Sequence, residues 1–308
     1  MDPDTFLTTL YVMIDDFDQM DLAPELADPG PPSSLSRSEV ITLALFSQWA
    51  CFPSERAFYR YAWHHLRPAF PHLPARSQFN RLQRQHRDAI VTFALYLAQG
   101  LLNADDAYEA LDSAAVPTRD AKRRGSGWLA GQADIGWSNR LGWYEGFHLL
   151  VAATPNGVIT GFGFAPASTK DQPLAETFFA LRHQPASRLS SVGQSICGVS
   201  VVDTGFEGRT WHQHWAEDYD SQVIGRPRRT SRRAWPKRLC HWLAGLRQIV
   251  ESVFEKLDSI FRLQHERPHA VAGFQARLAA KVALHNFCYW LNHRLGRPSL
   301  AFADLLDW

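Results

Sequence analysis

The sequence predicts an α/β fold in which helices flank a mixed sheet, with a helical segment in front of it. Residues 38–101 repeat apolar side chains at helical spacing. From residue 107 onward, short apolar runs of strand length alternate with helical stretches in the order β-β-β-α-β-α-β-α. The turn Pro155-Asn156-Gly157 joins two of these runs, as in a β-hairpin.

The first hundred residues are predicted to be helical. Helices are expected over 38–51, behind Ser36 as a candidate N-cap, over 55–66, closed by Pro68, and over 77–101, opened by Ser77. Short helices, a proline-punctuated turn and then an Arg- and Gln-rich helix resemble a helix-turn-helix module in outline. We therefore expect residues 1–103 to form a helical N-terminal domain that binds DNA.

The remaining residues, 104–308, are expected to form the α/β domain. Its strands are predicted at 107–114, 147–153, 158–164, 198–202 and 222–224, and its helices at 172–182, 207–218 and 239–263. Residues 114–146, rich in Arg, Lys, Gly and Trp, are interpreted as an insertion between the first two strands. Residues 270–295 are apolar around much of a helical circumference, which predicts a buried C-terminal helix.

Composition limits the class of protein. A chain of 308 residues, 45% of them apolar, can bury a substantial core and is long enough for two domains. It has no uncharged apolar run of membrane-spanning length and no basic leader, so we expect no membrane partner and a cytoplasmic, nucleoid-associated location. The four cysteines lie far apart without a C-x-x-C pair, which argues against a zinc ribbon or a disulfide framework.

Charge is distributed unevenly along the chain. The net charge is only +1, yet residues 1–36 carry acids without Lys or Arg, whereas 56–87 and 226–247 are basic blocks. Two basic blocks that meet on one face would attract a polyanion such as DNA. A solvated surface is the alternative interpretation for either block alone.

Three acids stand out by their positions. Asp112 lies inside an apolar strand, Asp203 directly follows the apolar run Val199–Val202, and Glu251 borders the apolar stripe of the 239–263 helix. Each has an ordinary explanation. Asp203 could cap a helix, Glu251 could pair with Arg247 or Lys256, and Asp112 could be a satisfied core acid.

The order and setting of these acids resemble the DDE transposases of bacterial insertion sequences. The resemblance is carried by Leu111-Asp112-Ser113, by Asp203-x-Gly205-Phe206 and by Arg247-x-x-x-Glu251. The stretch 111–117, the segment Gly146-Phe147-His148 and Thr169-Lys170-Asp171 are similar to the insertion sequence 982 branch. The sequence departs from that pattern at Ala244 and Asp258, where the family usually has Tyr and Lys, and in lacking a Lys just before His148.

The resemblance implies an RNase H-like catalytic core and DNA cleavage and joining with two Mg²⁺ ions, or Mn²⁺ in their place. It makes Asp112, Asp203 and Glu251 both the catalytic residues and the metal ligands. Carboxylate oxygens are the ligands that Mg²⁺ prefers, and two ions can assist an in-line phosphodiester displacement. We assign Asp112 to both ions, Asp203 to the ion at the attacking hydroxyl or water, and Glu251 to the other. Asp171 is interpreted as a helix cap rather than a catalytic group.

The partner implied is double-stranded DNA, both element ends and target, with a homodimer in the synaptic complex. The DNA-binding candidates are Arg and Lys residues of the two basic blocks and the Glu251 helix: Arg81, Arg84, Arg87, Arg226, Arg228, Arg229, Arg232, Arg233, Lys237 and Arg247. Arg247 could instead orient Glu251 or form a plain ion pair. Two other functions stay open, a catalytically silent DNA-binding protein descended from a transposase and a metal-dependent nuclease without strand transfer.

Overall fold

In the computed structural model, the described residues fold around one six-stranded sheet. Five strands lie in one hydrogen-bonded series, and the sixth pairs with a strand of that series as in a hairpin. The structure describes residues 1–22, 33–120, 129, 131–184, 192–193, 197–227 and 235–308. Within this part of the chain the strands are β1 (Glu109–Asp120), β2 (Asp134–Ser138), β3 (Gly142–Ala153), β4 (Ile159–Pro166), β5 (Val199–Val202) and β6 (Gln222–Gly225).

The sheet has RNase H-like topology. Strand β1 is central, antiparallel to β3 on one side and parallel to β5 on the other. β4 extends the sheet beyond β3 in antiparallel fashion, and β6 extends it beyond β5 in parallel fashion. The order β4-β3-β1-β5-β6 confirms the predicted mixed α/β fold.

The β1–β2–β3 region corrects the predicted insertion. Residues 114–120 continue β1, and β2 pairs with the beginning of β3 through Trp137 opposite Trp143. Much of the span 114–146 is therefore strand, with the bulge between Pro117 and Arg119 marking the only irregularity in the β1–β3 register. Lys122, Arg123, Arg124 and Trp128 lie outside the described residues.

Within the described residues, five α-helices precede the sheet: α1 (Pro3–Phe17), α2 (Arg37–Phe46), α3 (Glu55–Tyr61), α4 (Arg76–Gln85) and α5 (Arg87–Gly100). Ser36 caps α2 through a capping box with Glu39, as the sequence predicts. The single helix expected over 77–101 is instead two helices separated at His86. Helix α1 was not predicted.

In the described segments after β4, four α-helices cover the sheet and close the fold: α6 (Asp171–His183), α7 (Arg209–Tyr219), α8 (Lys237–Ser259) and α9 (Val271–Arg294). Helix α9 matches the predicted C-terminal helix to within a residue at each end. Its buried residues include Leu278, Ala283 and Phe287.

Two apolar clusters lie on opposite faces of the sheet. One contains Leu174, Phe178 and Trp215 of α6 and α7 with Leu111 and Val202 of the sheet. The other joins α1, α2, α4, α5, α8 and α9 to the opposite sheet face in one continuous cluster. The N-terminal helices thus share a core with α9, and the boundary between the two proposed domains at 103/104 stays a prediction.

No helix in the described part of the chain is both long enough and apolar enough to cross a bilayer.

Candidate active site

The topology places Asp112 and Asp203 side by side. Leu111 of β1 pairs with Val202 of β5 in parallel register. The residue that follows each of them is an acid, Asp112 after Leu111 and Asp203 after Val202. Both strands run in the same direction, and their acids therefore reach the same end of the sheet. This is where open α/β sheets commonly present ligand-binding side chains.

Arg247 of α8 connects the two acids. Its Nη2 donates to Asp112 Oδ2 over 2.8 Å, and its Nη1 lies 3.3 Å from Asp203 Oδ1. The side chains of Arg247 and Asp112 are largely buried, whereas that of Asp203 is half exposed. The Arg247 Nε is buried and has no hydrogen-bond partner among the residues that the structure describes. One guanidinium thus compensates two carboxylates at the rim of the sheet.

Asp112 lies in an unfavourable place for a charged carboxylate. The pKa of Asp112 is raised from 3.8 to about 6, chiefly because the carboxyl is buried. Arg247 and the Ser113 backbone N–H oppose this rise in pKa, and nearby Asp203 adds to it. The Ser113 N–H donates to Asp112 Oδ1 over 2.8 Å. The strand alone would leave Asp112 poorly compensated, and a positive charge beside it would favour its ionised form.

Glu251 lies one helical turn beyond Arg247 on α8 and is exposed. Its carboxylate makes no ion pair or hydrogen bond with the residues that the structure describes. Among these residues, no group of three or more His, Cys, Asp or Glu side chains is arranged to hold a metal ion. The geometry therefore brings together Asp112, Asp203 and Arg247, and leaves Glu251 on the adjacent turn.

The ordinary explanations for Asp203 and Glu251 do not describe their contacts, whereas Asp112 is largely buried and paired as a core acid would be. Asp203 precedes a short 3₁₀ turn, Thr204–Phe206, but its side chain makes no capping hydrogen bond. Lys256 pairs with Glu255, and Arg247 pairs with Asp112 and Asp203, so neither cation is bound to Glu251. Arg247 thus forms an ion pair, with Asp112 and Asp203, and its contact with a DNA phosphate stays a prediction.

Asp171 belongs to this site and does not cap α6 as we expected. Helix α6 has no side-chain cap, and Asp171 is instead its first residue. The Ser113 hydroxyl donates to Asp171 Oδ1 over 2.6 Å, directly beside Asp112. A Cβ on Gly205 would lie 2.2 Å from Asp171 Oδ2, so the glycine of the Asp203-x-Gly205 turn permits this close approach.

His148 completes the polar wall of the site. Its Nδ1 hydrogen-bonds the Thr169 carbonyl over 2.9 Å, which directs Nε2 toward Asp171 Oδ1 at 3.6 Å. The sequence contained a signal for the contact between His148 and Asp171, because both residues lie in segments that resemble the family, Gly146-Phe147-His148 and Thr169-Lys170-Asp171. What it lacked was the pairing of β3 with β1, which places His148 opposite Ala115.

The basic candidates are dispersed over several elements. Arg81 and Arg84 are exposed on α4, and Arg87 at the start of α5 pairs with Asp88. Arg226 follows β6, and Lys237 begins α8. Arg228, Arg229, Arg232 and Arg233 lie outside the described residues.

One departure from the resembled pattern, at Asp258, has a structural counterpart. Asp258, where the family usually has Lys, pairs with Arg140 of the β2–β3 turn over 2.6 Å and accepts the Gln264 N–H. Trp137 and Trp143 form an edge-to-face pair, and both are more than half exposed. These two β2–β3 tryptophans therefore lie largely at the surface.

Comparison with known proteins agrees with this architecture. A family model described as the transposase DDE domain matches residues 110–287, more than half of the chain. The match includes β1, the Asp203 turn, α8 and most of α9. The chain belongs to the DDE-domain transposase family. The match does not distinguish the insertion sequence 982 branch, which stays a prediction.

A solved structure titled "Mos1 transposase paired-end complex with left transposon end" is similar over 76% of this chain and 80% of that chain, at 14% identity. Its TM-score of 0.23 is too low to support any conclusion about this protein. No curated protein matches this chain.

Proposed function

We propose that this transposase cleaves the ends of a mobile DNA element and joins them to target DNA by metal-dependent phosphodiester transfer. The observation that carries the proposal is the convergence of Asp112 and Asp203 on adjacent strands, with Glu251 one turn from the arginine that bridges them. The family match over the same elements supports it.

The donor chemistry fits a divalent metal ion. Asp112 and Asp203 supply hard oxygen ligands, and the raised pKa of Asp112 shows that Arg247 alone does not fully compensate this acid. Asp112, Asp203 and Glu251 would hold Mg²⁺ or Mn²⁺, with two ions as the proposed complement. Bound there, such ions would polarise the scissile phosphate and favour ionisation of the attacking hydroxyl or water.

The protein's own groups position these ligands. The Ser113 N–H fixes one oxygen of Asp112, and the Ser113 hydroxyl ties Asp171 to the same strand position. Arg247 keeps Asp112 and Asp203 together, because the guanidinium offsets the repulsion between the two carboxylates. Asp171 and His148 are positioning residues in this scheme, because Asp171 accepts from the Ser113 hydroxyl next to Asp112 and His148 lies beside Asp171.

DNA binding is proposed for the basic residues Arg81, Arg84, Arg87, Arg226, Lys237 and Arg247, with the N-terminal helices as the binding module. Because pairing of two element ends requires two active sites, we propose a homodimer in the synaptic complex and action at the nucleoid. Phosphate contacts of this kind lose affinity steeply as salt increases.

The test is a cleavage and joining assay on duplexes that carry the inverted repeats flanking the gene. We expect Asp112→Asn, Asp203→Asn and Glu251→Gln each to reduce both products at least 100-fold in Mg²⁺ or Mn²⁺ while DNA binding changes little. Glu255→Gln is the matched control, because Glu255 lies on the same helix but pairs with Lys256.

The two other functions predict different products. A DNA-binding protein without chemistry would give neither cleavage nor joining in the wild type. A nuclease would give cleavage without joined product. Full activity in the Asp203→Asn protein would remove the proposed site altogether.

A further inference from the structure

A basic cavity of about 410 Å³ lies between α4 and the start of α9, outside the acidic site. Four arginines and a histidine line it, from α4, from the segment before α9 and from α9 itself: Arg76, Arg84, Arg267, His269 and Arg277. Glu55 is the one acid in its lining, beside the amides of Asn80 and Gln83. We propose that this cavity holds a backbone phosphate of the DNA duplex, an inference that rests on the proposed joining function.

The acids near the cavity are already compensated by specific partners. Glu55 accepts from Asn80 and pairs with Arg76 over 3.1 Å. Glu266, which is buried beneath the cavity, pairs with Lys281 over 3.0 Å and with Arg277 Nε over 2.6 Å. These pairs leave the lining with more positive than negative charge, which is the requirement for an anion site.

Two arginines retain donors for an incoming anion. Arg277 Nη2 is buried and has no hydrogen-bond partner in the described part of the chain, although Arg277 Nε donates to Glu266. Arg84 is exposed, and no ion pair or hydrogen bond joins its guanidinium to the residues that the structure describes. Arg277 is thus fixed in orientation and Arg84 can adjust to the ligand, a combination suited to phosphate oxygens.

The start of α9 adds a third contribution. The cavity reaches Ala270, the N-cap residue, and Gly273 in the first turn. No side chain caps this helix, and no acid lies in its first turn. The first backbone N–H groups of a helix lack intrahelical acceptors, and its N-terminal end carries partial positive charge. The helix end therefore complements the arginines.

The glycine at position 273 leaves room in the cavity for a ligand. Glycine inside a helix costs about 0.5–1 kcal/mol relative to alanine. A Cβ at Gly273 would meet only Arg84 Cδ, at 3.8 Å, so packing within the protein does not require glycine. The missing side chain keeps the cavity open beside Arg84.

The cavity also lies within reach of the acidic site along one duplex. Arg267 donates to the Pro117 carbonyl on β1, five residues after Asp112. At about 3.3 Å per strand residue, the two positions are about 17 Å apart along β1. That length corresponds to about five base pairs of B-DNA at 3.4 Å each. A duplex with one backbone phosphate in the cavity can therefore extend to the cleavage site.

The experiment compares Gly273→Glu with Gly273→Ala in the full-length protein. Both changes add a helix-favouring side chain, and a glutamate near a helix N-terminus is itself stabilising. Only glutamate places a negative charge in the cavity beside Arg84. The probe is a labelled 25-base-pair duplex of arbitrary sequence, because phosphate contacts do not require a specific sequence. Affinity is measured by fluorescence anisotropy from 50 to 200 mM salt.

We expect Gly273→Ala to bind as the wild type does, and Gly273→Glu to bind at least tenfold more weakly at 100 mM salt. The salt dependence should also weaken in Gly273→Glu: the negative slope of log affinity against log salt should become less steep by about one to two. Arg84→Ala should weaken binding in the same direction. Thermal unfolding of Gly273→Glu at or above the wild-type temperature would confirm that the loss is not misfolding.

Equal duplex affinity of Gly273→Glu and Gly273→Ala would overturn the phosphate site. A second contradicting result is that Gly273→Glu leaves duplex affinity unchanged but abolishes thermal stabilisation of the protein by inorganic pyrophosphate. The ligand would then be a small phosphate compound. Either result leaves the transposase proposal intact. That proposal fails separately if the wild type neither binds the duplex nor joins element ends.

Discussion

At the scale of single residues, the decisive feature is that one arginine compensates two acids. Arg247 pairs with Asp112 and Asp203 at the same time, although the sequence separates it from Asp112 by 135 positions. The sequence predicted the three acids and Arg247 because each lies at a recognisable place in a strand or helix. It could not predict the bridge, since that depends on how α8 crosses the sheet.

Asp171 shows the limit of local reasoning at this scale. An acid before a helix is most often a cap, and the sequence offered no reason to choose otherwise. Only the packing of α6 against β1 brings Asp171 to the Ser113 hydroxyl.

The raised pKa of Asp112 predicts a pH-dependent stability in the absence of divalent ions. The folded carboxyl has a pKa of about 6 against an ordinary value of 3.8. The resulting stabilisation is fully present below about pH 3.8 and is lost as the pH rises through about 6. Relative to Asp112→Asn, the wild type should therefore lose about 2 kcal/mol of unfolding free energy between pH 4 and pH 7. Urea unfolding in EDTA at several pH values measures this; parallel pH curves for the two proteins would contradict it.

Gly205 gives a second prediction at this scale. Alanine would bring its Cβ within 2.2 Å of Asp171 Oδ2, so either the Asp203 turn or α6 must shift. We expect Gly205→Ala to cost about 1–3 kcal/mol of stability and to impair joining. Gly245→Ala on α8 is the control. A Cβ there meets nothing within 4 Å, and the change should stabilise slightly. Equal melting temperatures for the two variants would mean that the approach of Gly205 to Asp171 is unimportant.

At the scale of elements, apolar periodicity predicted most helices and strands but not their ends. β1 continues through Pro117 to Asp120 because β3 supplies a long antiparallel partner, and a single sequence does not reveal that pairing. Conversely, the predicted 77–101 helix divides at His86, whose backbone leaves helical geometry at φ −93° and ψ 16°. Charged residues around 84–88 hid that break, since all of them are compatible with a helix.

A buried ion pair links α6 to the central strand. Arg182 Nη1 lies 2.6 Å from Glu109 Oε2, and both side chains are almost fully buried. Removing one member leaves a buried charge without compensation, so Arg182→Met should cost about 3–5 kcal/mol.

The control for this prediction is Arg140→Met. Arg140 pairs with Asp258 at the surface, with 68% of its side chain exposed, and this loss should cost no more than about 1 kcal/mol. Chemical unfolding of both variants measures the difference. If Arg182→Met proved as stable as Arg140→Met, the buried pair would have no role in holding α6 against the sheet.

At the scale of the whole molecule, the sequence predicted the fold class and the family but not how the two parts join. The helices before residue 103 pack into the same apolar cluster as α9 and one face of the sheet. Contacts between residues this far apart in the chain leave no periodic signal. The basic cavity shows the same limitation, because its lining comes from α4 and the region around the start of α9, almost 200 residues later.

The shared core has a consequence for DNA binding. If α4 contacts DNA, the contact is made by a helix that is fixed relative to α9 rather than by an independently tethered module. Arg84 on α4 and Arg277 on α9 line one cavity, and α9 also packs with α8, which carries Glu251. The proposed binding surface and catalytic elements are therefore connected through a single packed helix.

The central claim is that Asp112, Asp203 and Glu251 together hold divalent ions, and the most direct test is Mn²⁺ binding measured by electron paramagnetic resonance on the purified protein. We predict that Asp112→Asn, Asp203→Asn and Glu251→Gln each weaken Mn²⁺ binding at least tenfold, whereas Glu255→Gln binds as the wild type does. Wild-type Mn²⁺ affinity in Glu251→Gln would contradict the account, because the third ligand would then have to come from elsewhere in the protein.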